Sequence, residues 1–237
     1  MVFIDGSNMY HSLKAFFNRT DIDLGKFCNK LVGKRRLVRI YYYNARVGRK
    51  EEPERYVHQR QFFDSVSTIP YMEVRLGRLV YANWPNSPPF EKGIDVQLAT
   101  DLLTHAYKNN YDTAVLVAGD NDFVPALQAV KDNGKHIEVA LFGKEETSRE
   151  LRRVADMVTP ITPRLLQDCW KQVRQQRRGG SGRQRRPGTA KPTTVQPETV
   201  IEIRTGIQTE TPPPENNSPG DIQREITYGG TTSYPYE

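Results

Sequence analysis

The sequence predicts an α/β protein: a mostly parallel sheet with helices on both faces, followed by a disordered C-terminal tail. Short runs of β-branched and small apolar residues alternate with segments whose apolar residues recur at helical spacing. Such alternation is typical of the strand–helix–strand units that build a parallel sheet. The pattern ends near Trp170, beyond which Gly, Pro, Ser, Thr, Gln and Arg dominate.

Three strands and three helices are predicted in the first part of the chain. Apolar runs rich in Val, Ile and Tyr indicate the strands, and stripes of Leu and Phe at helical spacing indicate the helices. A charged loop over Arg46–Glu54 overlaps the start of the third helix, where Pro53 is suited to the first helical position. In chain order, these elements are strand Val2–Ile4, a helix striped by Leu13, Phe16 and Phe17, helix Leu24–Val32, strand Leu37–Tyr43, helix Pro53–Val66 and strand Met72–Val80.

A proline-rich loop over Tyr81–Lys92 precedes the second part of the chain. Gly93-Ile94-Asp95 opens a long helix with a core face of Leu and Ala, and Asn109–Asp112 turns that helix into the next strand. Gly134 indicates where the following helix ends. The other predicted elements are strand Ala114–Ala118, helix Phe123–Asn133, strand Ile137–Phe142, helix Ser148–Ala155, strand Met157–Ile161 and helix Pro163–Val173.

Composition divides the chain into a folded domain over residues 1–170, a basic Arg/Gly-rich linker over 171–187 and an acidic Pro/Thr-rich tail over 188–237. The linker holds seven bases and no acid, and the tail holds three bases and seven acids. Neither segment has enough apolar residues to offset the entropy lost on folding, so both are expected to be disordered. The whole chain carries a net charge of +6, and the linker and the tail together account for about half of it. The folded domain is therefore only mildly basic.

The two cysteines, Cys28 and Cys169, form neither a disulfide framework nor a metal-ligand spacing, which favours a reducing compartment. No apolar run approaches the roughly 18 residues of a membrane span, and no basic-then-apolar leader begins the chain. We therefore expect a cytoplasmic protein that is neither membrane-bound nor exported. The sequence leaves a homodimer open.

Four acids lie where predicted strands or loops run into helices: Asp5, Asp95, Asp120 and Asp122. Such junctions converge at one edge of a parallel sheet when their strands are neighbours. Carboxylates within about 4–6 Å of one another repel by several kcal/mol, so the cluster needs a cation or raised pKa values. Oxygen ligands suit Mg²⁺ or Mn²⁺, and such sites hydrolyse phosphodiesters. Asp101 falls on a different face of its helix from Asp95 and is expected to be solvated or helix-pairing.

Each of these acids has a simpler interpretation as a helix N-cap, which is worth about 1 kcal/mol. Asp122 is the strongest candidate for a cap because it directly precedes the helix at Phe123. The amide of Asn8 could bond Asp5 or a substrate phosphate, or serve as an ordinary cap, and Ser7 has the same alternatives. Lys92 could neutralise a phosphate or the acids, or simply be solvated.

Basic and aromatic residues accompany the acids and predict contacts with single-stranded RNA. The bases would bind phosphates and the aromatic rings would stack on bases, although a solvated basic surface fits the same residues. The Arg-rich linker resembles an RGG-type RNA-binding segment. The residues predicted to bind nucleic acid are Ser7, Arg46, Arg49, Lys50, Arg55, Trp84, Lys92, Arg177 and Arg178.

Three motifs, VFIDGSN, KGIDVQLATDLL and LVAGDNDFVPAL, occur in this order over Met1–Pro160. Together they resemble the NYN domain of the LabA-like family, a branch of the PIN-like nuclease superfamily. This resemblance implies a Rossmann-like (PIN-like) sheet and a metal-dependent ribonuclease (a hydrolase) that leaves 5′-phosphate and 3′-hydroxyl ends. Its metal ligands and catalytic acids would be Asp5, Asp95, Asp120 and Asp122, with Asn8 supporting the first. None of these motif positions is substituted.

Three functional hypotheses follow. The first is an endoribonuclease that uses Mg²⁺ or Mn²⁺ in the acidic site. The second is an RNA-binding regulatory module of the same fold that does not cleave. A third, a phosphatase, would typically place a second Asp two residues after the first, where this chain has Ser7.

Overall fold

The computed structural model describes residues 1–143 and 148–171. Seven strands form one sheet in these residues: β1 (Val2–Asp5), β2 (Ile40–Arg46), β3 (Met72–Val80), β4 (Phe90–Lys92), β5 (Thr113–Val117), β6 (His136–Leu141) and β7 (Met157–Pro160). Their order across the sheet is β4-β3-β2-β1-β5-β6-β7. The predicted mostly parallel sheet is confirmed, since every neighbouring pair is parallel except β3 and β4.

Strand β1 lies at the centre of the sheet and is fully buried. Its first residue, Val2, pairs with Ile40 of β2 on one side and with Val115 of β5 on the other. The chain proceeds from β1 towards β2 and later returns to place β5 on the opposite side. The order of strands therefore reverses between β1 and β5, where doubly wound sheets form their ligand crevice.

Two hydrophobic cores cover the two faces of the sheet. Along β1, Val2 and Ile4 enter one core and Phe3 enters the other, as the alternation of a strand requires. Helices α1, α2, α3 and α7 supply the first core, and α4, α5 and α6 supply the second. The helices are α1 (Gly6–Phe17), α2 (Leu24–Val32), α3 (Pro53–Ser67), α4 (Ile94–Tyr107), α5 (Val124–Asp132), α6 (Arg149–Val154) and α7 (Pro163–Leu166).

The second strand was predicted three residues too early, at Leu37–Tyr43. Pairing with β1 begins only at Ile40, and pairing with β3 continues to Arg46. The apolar run LVRIYYY indicates the wrong bounds because pairing with the neighbouring strands β1 and β3 decides where β2 begins and ends. This pairing extends the ladder through Asn44 and Arg46. This extension carries Arg46 to the carboxyl edge of the sheet.

Two further differences concern predicted loop and helix positions. The proline-rich loop ends in β4, whose Phe90 pairs with Val80 in an antiparallel ladder. The last helix was predicted to reach Val173, but α7 ends at Leu166. The chain then turns so that Trp170 forms an isolated antiparallel β-bridge with Ile22. Residues 172–173, with the rest of the predicted linker and tail, lie outside the described residues.

In the part of the chain that the structure describes, every helix is too short or too polar to cross a membrane.

The two glycines that follow β1 and β5 should respond differently to substitution by alanine. At Gly6 a Cβ would lie 2.4 Å from Cζ of Tyr42 and 2.6 Å from the carbonyl oxygen of Tyr43, which backbone pairing holds in place. At Gly119 its nearest neighbours would be 3.4 Å away or further. Gly6→Ala should therefore lower the free energy of unfolding by about 1–3 kcal/mol through overpacking. Gly119→Ala should change it by less than about 1 kcal/mol.

Urea denaturation of the two variants beside the wild type measures this difference. Equal destabilisation by both substitutions would contradict the close packing of α1 against β2.

Candidate functional site

The predicted acids lie at the carboxyl edge of the sheet, around the crevice between β1 and β5. Asp5 is the last residue of β1, and Asp120 follows β5 after a short turn. Asp95 lies in the first turn of α4, and Asp122 lies in a 3-10 turn over Asn121–Phe123. Chain segments that are distant in sequence therefore present carboxylates to one region.

Asp5 is the buried member of the group, with 6% of its surface exposed. Its Oδ1 accepts a hydrogen bond from the backbone N–H of Asn8 at 2.9 Å, so it also caps α1. Burial raises the pKa of Asp5 to about 6, and the charges of Glu91 and Asp95 act in the same direction. The capping bond only partly offsets these effects. Both interpretations made from the sequence, N-cap and member of an acidic cluster, apply to this residue.

Asp95 has no capping role. The N-cap of α4 is Gly93, which adopts a left-handed conformation with φ of 82° and makes no side-chain capping bond. Partial burial raises the pKa of Asp95, and the nearby charges of Asp120 and Asp122 raise it further. The electrostatic coupling shows that these three carboxylates share one region of the surface.

The capping roles of Asp120 and Asp122 are the reverse of those expected. Oδ1 of Asp120 accepts a hydrogen bond from the backbone N–H of Asp122 at 2.9 Å, so Asp120 caps the 3-10 turn. Helix α5 follows Phe123 without any side-chain capping bond. The prediction that Asp122 is the cap was wrong, because the chain inserts a 3-10 turn before the helix begins. The carboxylate of Asp122 is exposed at the crevice.

Asn8 connects the two sides of the crevice. Its side-chain Oδ1 accepts a hydrogen bond from the backbone N–H of Gly119 at 3.0 Å. The carbonyl of Gly119 in turn accepts a hydrogen bond from Oγ of Ser148 at 2.6 Å. The contact with Asp5 is made by the backbone N–H of Asn8 and not by its side-chain amide group. Asn8 therefore holds the end of β5, and hence Asp120, in position against α1.

Glu91 is an acid near the site that sequence reasoning missed. It lies on β4, is exposed, and its charge contributes to the raised pKa of both Asp5 and Tyr42. Only the antiparallel pairing of β4 with β3 brings this residue towards β1, and the loop that contains it shows no strand pattern. Its position just before the KGID motif is the one sequence feature that could have indicated it.

Asp101 lies apart from the acidic group, as predicted, but it is not simply solvated. Its Oδ2 accepts a hydrogen bond from the hydroxyl of Tyr43 at 2.9 Å and lies 3.6 Å from Nε of Arg75. This carboxylate anchors α4 to β2 and β3.

The carboxylates at this edge are the candidate ligands for a divalent cation. Among the residues that the structure describes, no three acids, histidines or cysteines lie close enough together to hold a metal ion as they stand. The chemistry of the donors nevertheless fits Mg²⁺ or Mn²⁺, since all are carboxylate oxygens, and the charges of neighbouring acids help to raise the pKa of Asp5 and of Asp95.

The predicted RNA-binding bases near this edge lie on one side of the crevice, towards β2, β3 and β4. Arg46 ends β2 and Lys92 ends β4, and both are exposed. Arg49 and Lys50 are exposed in the loop after β2. The backbone N–H of Ser7 bonds the carboxylate of Asp5, so Ser7 belongs to the turn that holds this acid.

The other predicted RNA-binding residues have different surroundings. Arg55, in the first turn of α3, forms an ion pair at 3.0 Å with Glu52, the residue just before the helix. Trp84 is 40% exposed and packs edge-on against Tyr81 with their ring centres 5.5 Å apart. Arg177 and Arg178 lie outside the described residues.

Two sequence relatives share part of this chain. A protein of Synechococcus elongatus, the low amplitude and bright protein LabA, is 26% identical over 160 residues, which are 65% of this chain and 79% of that protein. An uncharacterized protein of Methanocaldococcus jannaschii is 32% identical over 68 residues. That match spans 29% of this chain and only 28% of the archaeal protein.

A solved structure shows the same fold. The crystal structure of a protein of unknown function from Vibrio parahaemolyticus superposes with a TM-score of 0.53 at 21% identity, covering 68% of this chain and 91% of the other. The family model of the NYN domain matches the sequence over residues 1–162, which include β1 to β7 and all the acids described above. The chain therefore belongs to the NYN domain family.

Proposed function

We propose that this protein is an endoribonuclease that hydrolyses RNA phosphodiesters with Mg²⁺ or Mn²⁺ held by the acids at the carboxyl edge of the sheet. The observation that carries the proposal is the buried carboxyl group of Asp5, which ends the central strand and interacts electrostatically with Asp95. A protein rarely keeps an ionisable group buried without a charged partner, and perturbed pKa values cluster at functional sites. Membership of a family in the PIN-like nuclease superfamily supports the same assignment.

The residues would divide the work as follows. Asp5, Asp95, Asp120 and Asp122 supply carboxylate oxygens, and Asn8 keeps the turn after β5 in position. A divalent cation bound there would lower the pKa of a water molecule and neutralise charge that develops on the phosphate. The exposed bases around the edge would hold the RNA strand through its phosphates. This chemistry is the best match to an all-carboxylate site next to basic side chains.

One observation favours a second candidate function. The described carboxylates do not lie close enough together to form a finished metal site. A non-cleaving RNA-binding regulatory module of the same fold would need no such site. Binding and cleavage therefore have to be measured separately.

Asp95→Asn should reduce metal-dependent cleavage at least about a hundredfold, because a positioned charge at a phosphoryl-transfer site is worth several kcal/mol. The substitution should leave folding intact, since Asp95 makes no capping bond. The assay is cleavage of labelled single-stranded and structured RNA by the purified protein with Mn²⁺, Mg²⁺ or EDTA. Asp112→Asn is the matched control, because the side chain of Asp112 is fully exposed at the start of β5, on the opposite edge of the sheet.

Full cleavage by Asp95→Asn, or in EDTA, would refute the metal-dependent mechanism. Tight RNA binding by the wild type without product, even after long incubation with Mn²⁺, would establish the non-cleaving module instead.

Asp5→Asn should stabilise the protein above pH 6 in the absence of metal. The folded-state pKa of Asp5, about 6, is above its ordinary value of 3.8, so the folded protein loses stability as pH rises between these values. The difference corresponds to about 3 kcal/mol when the carboxyl group is ionised. Asparagine removes the charge and keeps the N-cap, because Asn and Asp cap helices about equally well.

The measurement is urea denaturation of both proteins in EDTA from pH 4.5 to pH 8. The stability gained by the variant should grow up to about pH 7 and then level off. Added Mn²⁺ should stabilise the wild type more than the variant. A gain that is independent of pH would show that Asp5 is not held in its protonated form by burial.

Asn8→Ala should slow cleavage by about fivefold, the effect of losing one hydrogen bond worth about 1 kcal/mol. The loss should appear in kcat more than in KM, because the residue positions Asp120 and does not contact RNA. Ser148→Ala removes the bond on the other side of Gly119 and should have a similar, smaller effect. If Asn8→Ala instead raised KM alone, Asn8 would have to contact the substrate directly.

A further inference from the structure

Three exposed cations lie side by side across the outer half of the sheet. The parallel register of β2 and β3 places Arg46 opposite Arg78, and the antiparallel register of β3 and β4 places Arg78 opposite Lys92. Residues paired in this way point to the same face of a sheet, with neighbouring strands about 4.8 Å apart. Arg78 was not distinguished by the sequence, since its place in this cation row depends on both registers.

Among the described residues, no acid compensates the charge of the cation row. Within residues 1–143 and 148–171, no carboxylate forms an ion pair within 4.0 Å of Arg46, Arg78 or Lys92. Arg75, the one other base on β2, β3 and β4, is paired: it contacts Glu73 at 3.1 Å. Like charges placed directly opposite each other destabilise a sheet. A bound polyanion would reduce the repulsion among the three cations and so stabilise this arrangement.

The cation row continues into a groove beside α3. Arg46 lines a cavity of about 400 Å³ together with Tyr56, Arg60 and Phe63. A second cavity of about 500 Å³ shares Tyr56 and Arg60 and adds Arg49. Asp64 also lines both cavities, but its ion pair with Arg60 is long, at 3.8 Å, and exposed, so it neutralises little of the groove's charge.

Strand β4 separates the cation row from the acidic site. Successive residues of a strand point to opposite faces, so Glu91 lies on the side away from Lys92. Glu91 is electrostatically coupled to Asp5, and Lys92 is opposite Arg78. A strand of RNA with one phosphate at the acids would therefore meet the cation row as it crosses the outer edge of the sheet.

We propose that Lys92, Arg78 and Arg46 bind the phosphate backbone of single-stranded RNA beside the acidic site and direct it into the groove along α3. This inference rests on the proposed function, because it identifies how the same site would hold its substrate. RNA fits better than an acidic peptide, since Tyr56 lines the groove together with Arg49 and Arg60, and bases stack on such rings.

The test is a triple variant, Arg46→Gln, Arg78→Gln and Lys92→Gln, in which all three charges of the cation row are neutralised. Binding of a fluorescently labelled single-stranded RNA is measured by anisotropy over a series of salt concentrations in EDTA. The slope of log Kd against log salt should become shallower by about 2, which is the change for three phosphate contacts on a single strand. The affinity at low salt should fall at least about tenfold.

The matched control removes three exposed charges from the opposite edge of the sheet: Lys34→Gln, Arg36→Gln and Lys108→Gln. These residues lie before β2 and after α4, so the control has the same net charge without touching the cation row. It should retain the affinity and the salt slope of the wild type. Thermal unfolding checks that the first variant is folded, and its midpoint should not fall, because repulsion within the cation row has been removed.

If both triple variants weakened RNA binding equally, net charge alone would explain the effect, and the proposal would be overturned. An unchanged salt slope in the first variant would do the same. Tighter binding of a labelled poly-glutamate peptide than of RNA, lost in the first variant alone, would assign the cation row to an acidic protein partner. Because binding is measured without metal, a protein that never cleaves RNA would refute the nuclease proposal and leave this result valid.

Discussion

The candidate site depends on one constraint, the burial of a carboxyl group at the end of the central strand. Strand β1 is paired on both sides and covered on both faces, so Asp5 cannot move out of the sheet without breaking its ladders. Its Oδ1 is also fixed by the capping bond from Asn8. Burial raises its pKa to about 6, which means that near neutral pH its charge opposes folding. A bound cation would remove this opposition, because it stabilises the ionised form.

The four predicted ligands fall into a fixed pair and a less constrained pair. Asp5 and Asp120 each accept a backbone hydrogen bond in a cap, and the bond between Asn8 and Gly119 joins the elements that carry them. Asp95 and Asp122 lie in first turns without capping bonds from their side chains. In the proposed metal site, the fixed pair would define where a cation is held, and the second pair would have to turn towards it. This division accounts for carboxylates that are electrostatically coupled without being close enough to form a finished metal site.

The sequence was most informative where local pattern and chemistry coincide. A buried strand that ends in Asp and turns at Gly is visible at both Asp5 and Asp120, and the helix start at Asp95 is equally clear. Glu91 and Arg78 were not predicted, because their positions depend on β4, a three-residue strand inside a proline-rich loop. The shift of β2 to Ile40–Arg46 has the same origin, since pairing with β3 determined where the strand ends. Long-range register, which no local pattern encodes, decided these positions.

The acids and the cation row place opposite charges on the two sides of one short strand. A polyanion that approaches the acids alone is repelled, because carboxylates and phosphates carry the same charge. The adjacent cations at Arg46, Arg78 and Lys92 attract the same chain, and this attraction does not depend on a metal ion. If the protein binds RNA and a cation as proposed, RNA would not need the cation to bind, and each would make the other more favourable, since the phosphate would supply oxygen ligands and the cation would reduce the repulsion. A strand of three residues is enough to create this arrangement, because alternation alone puts Glu91 and Lys92 on opposite sides.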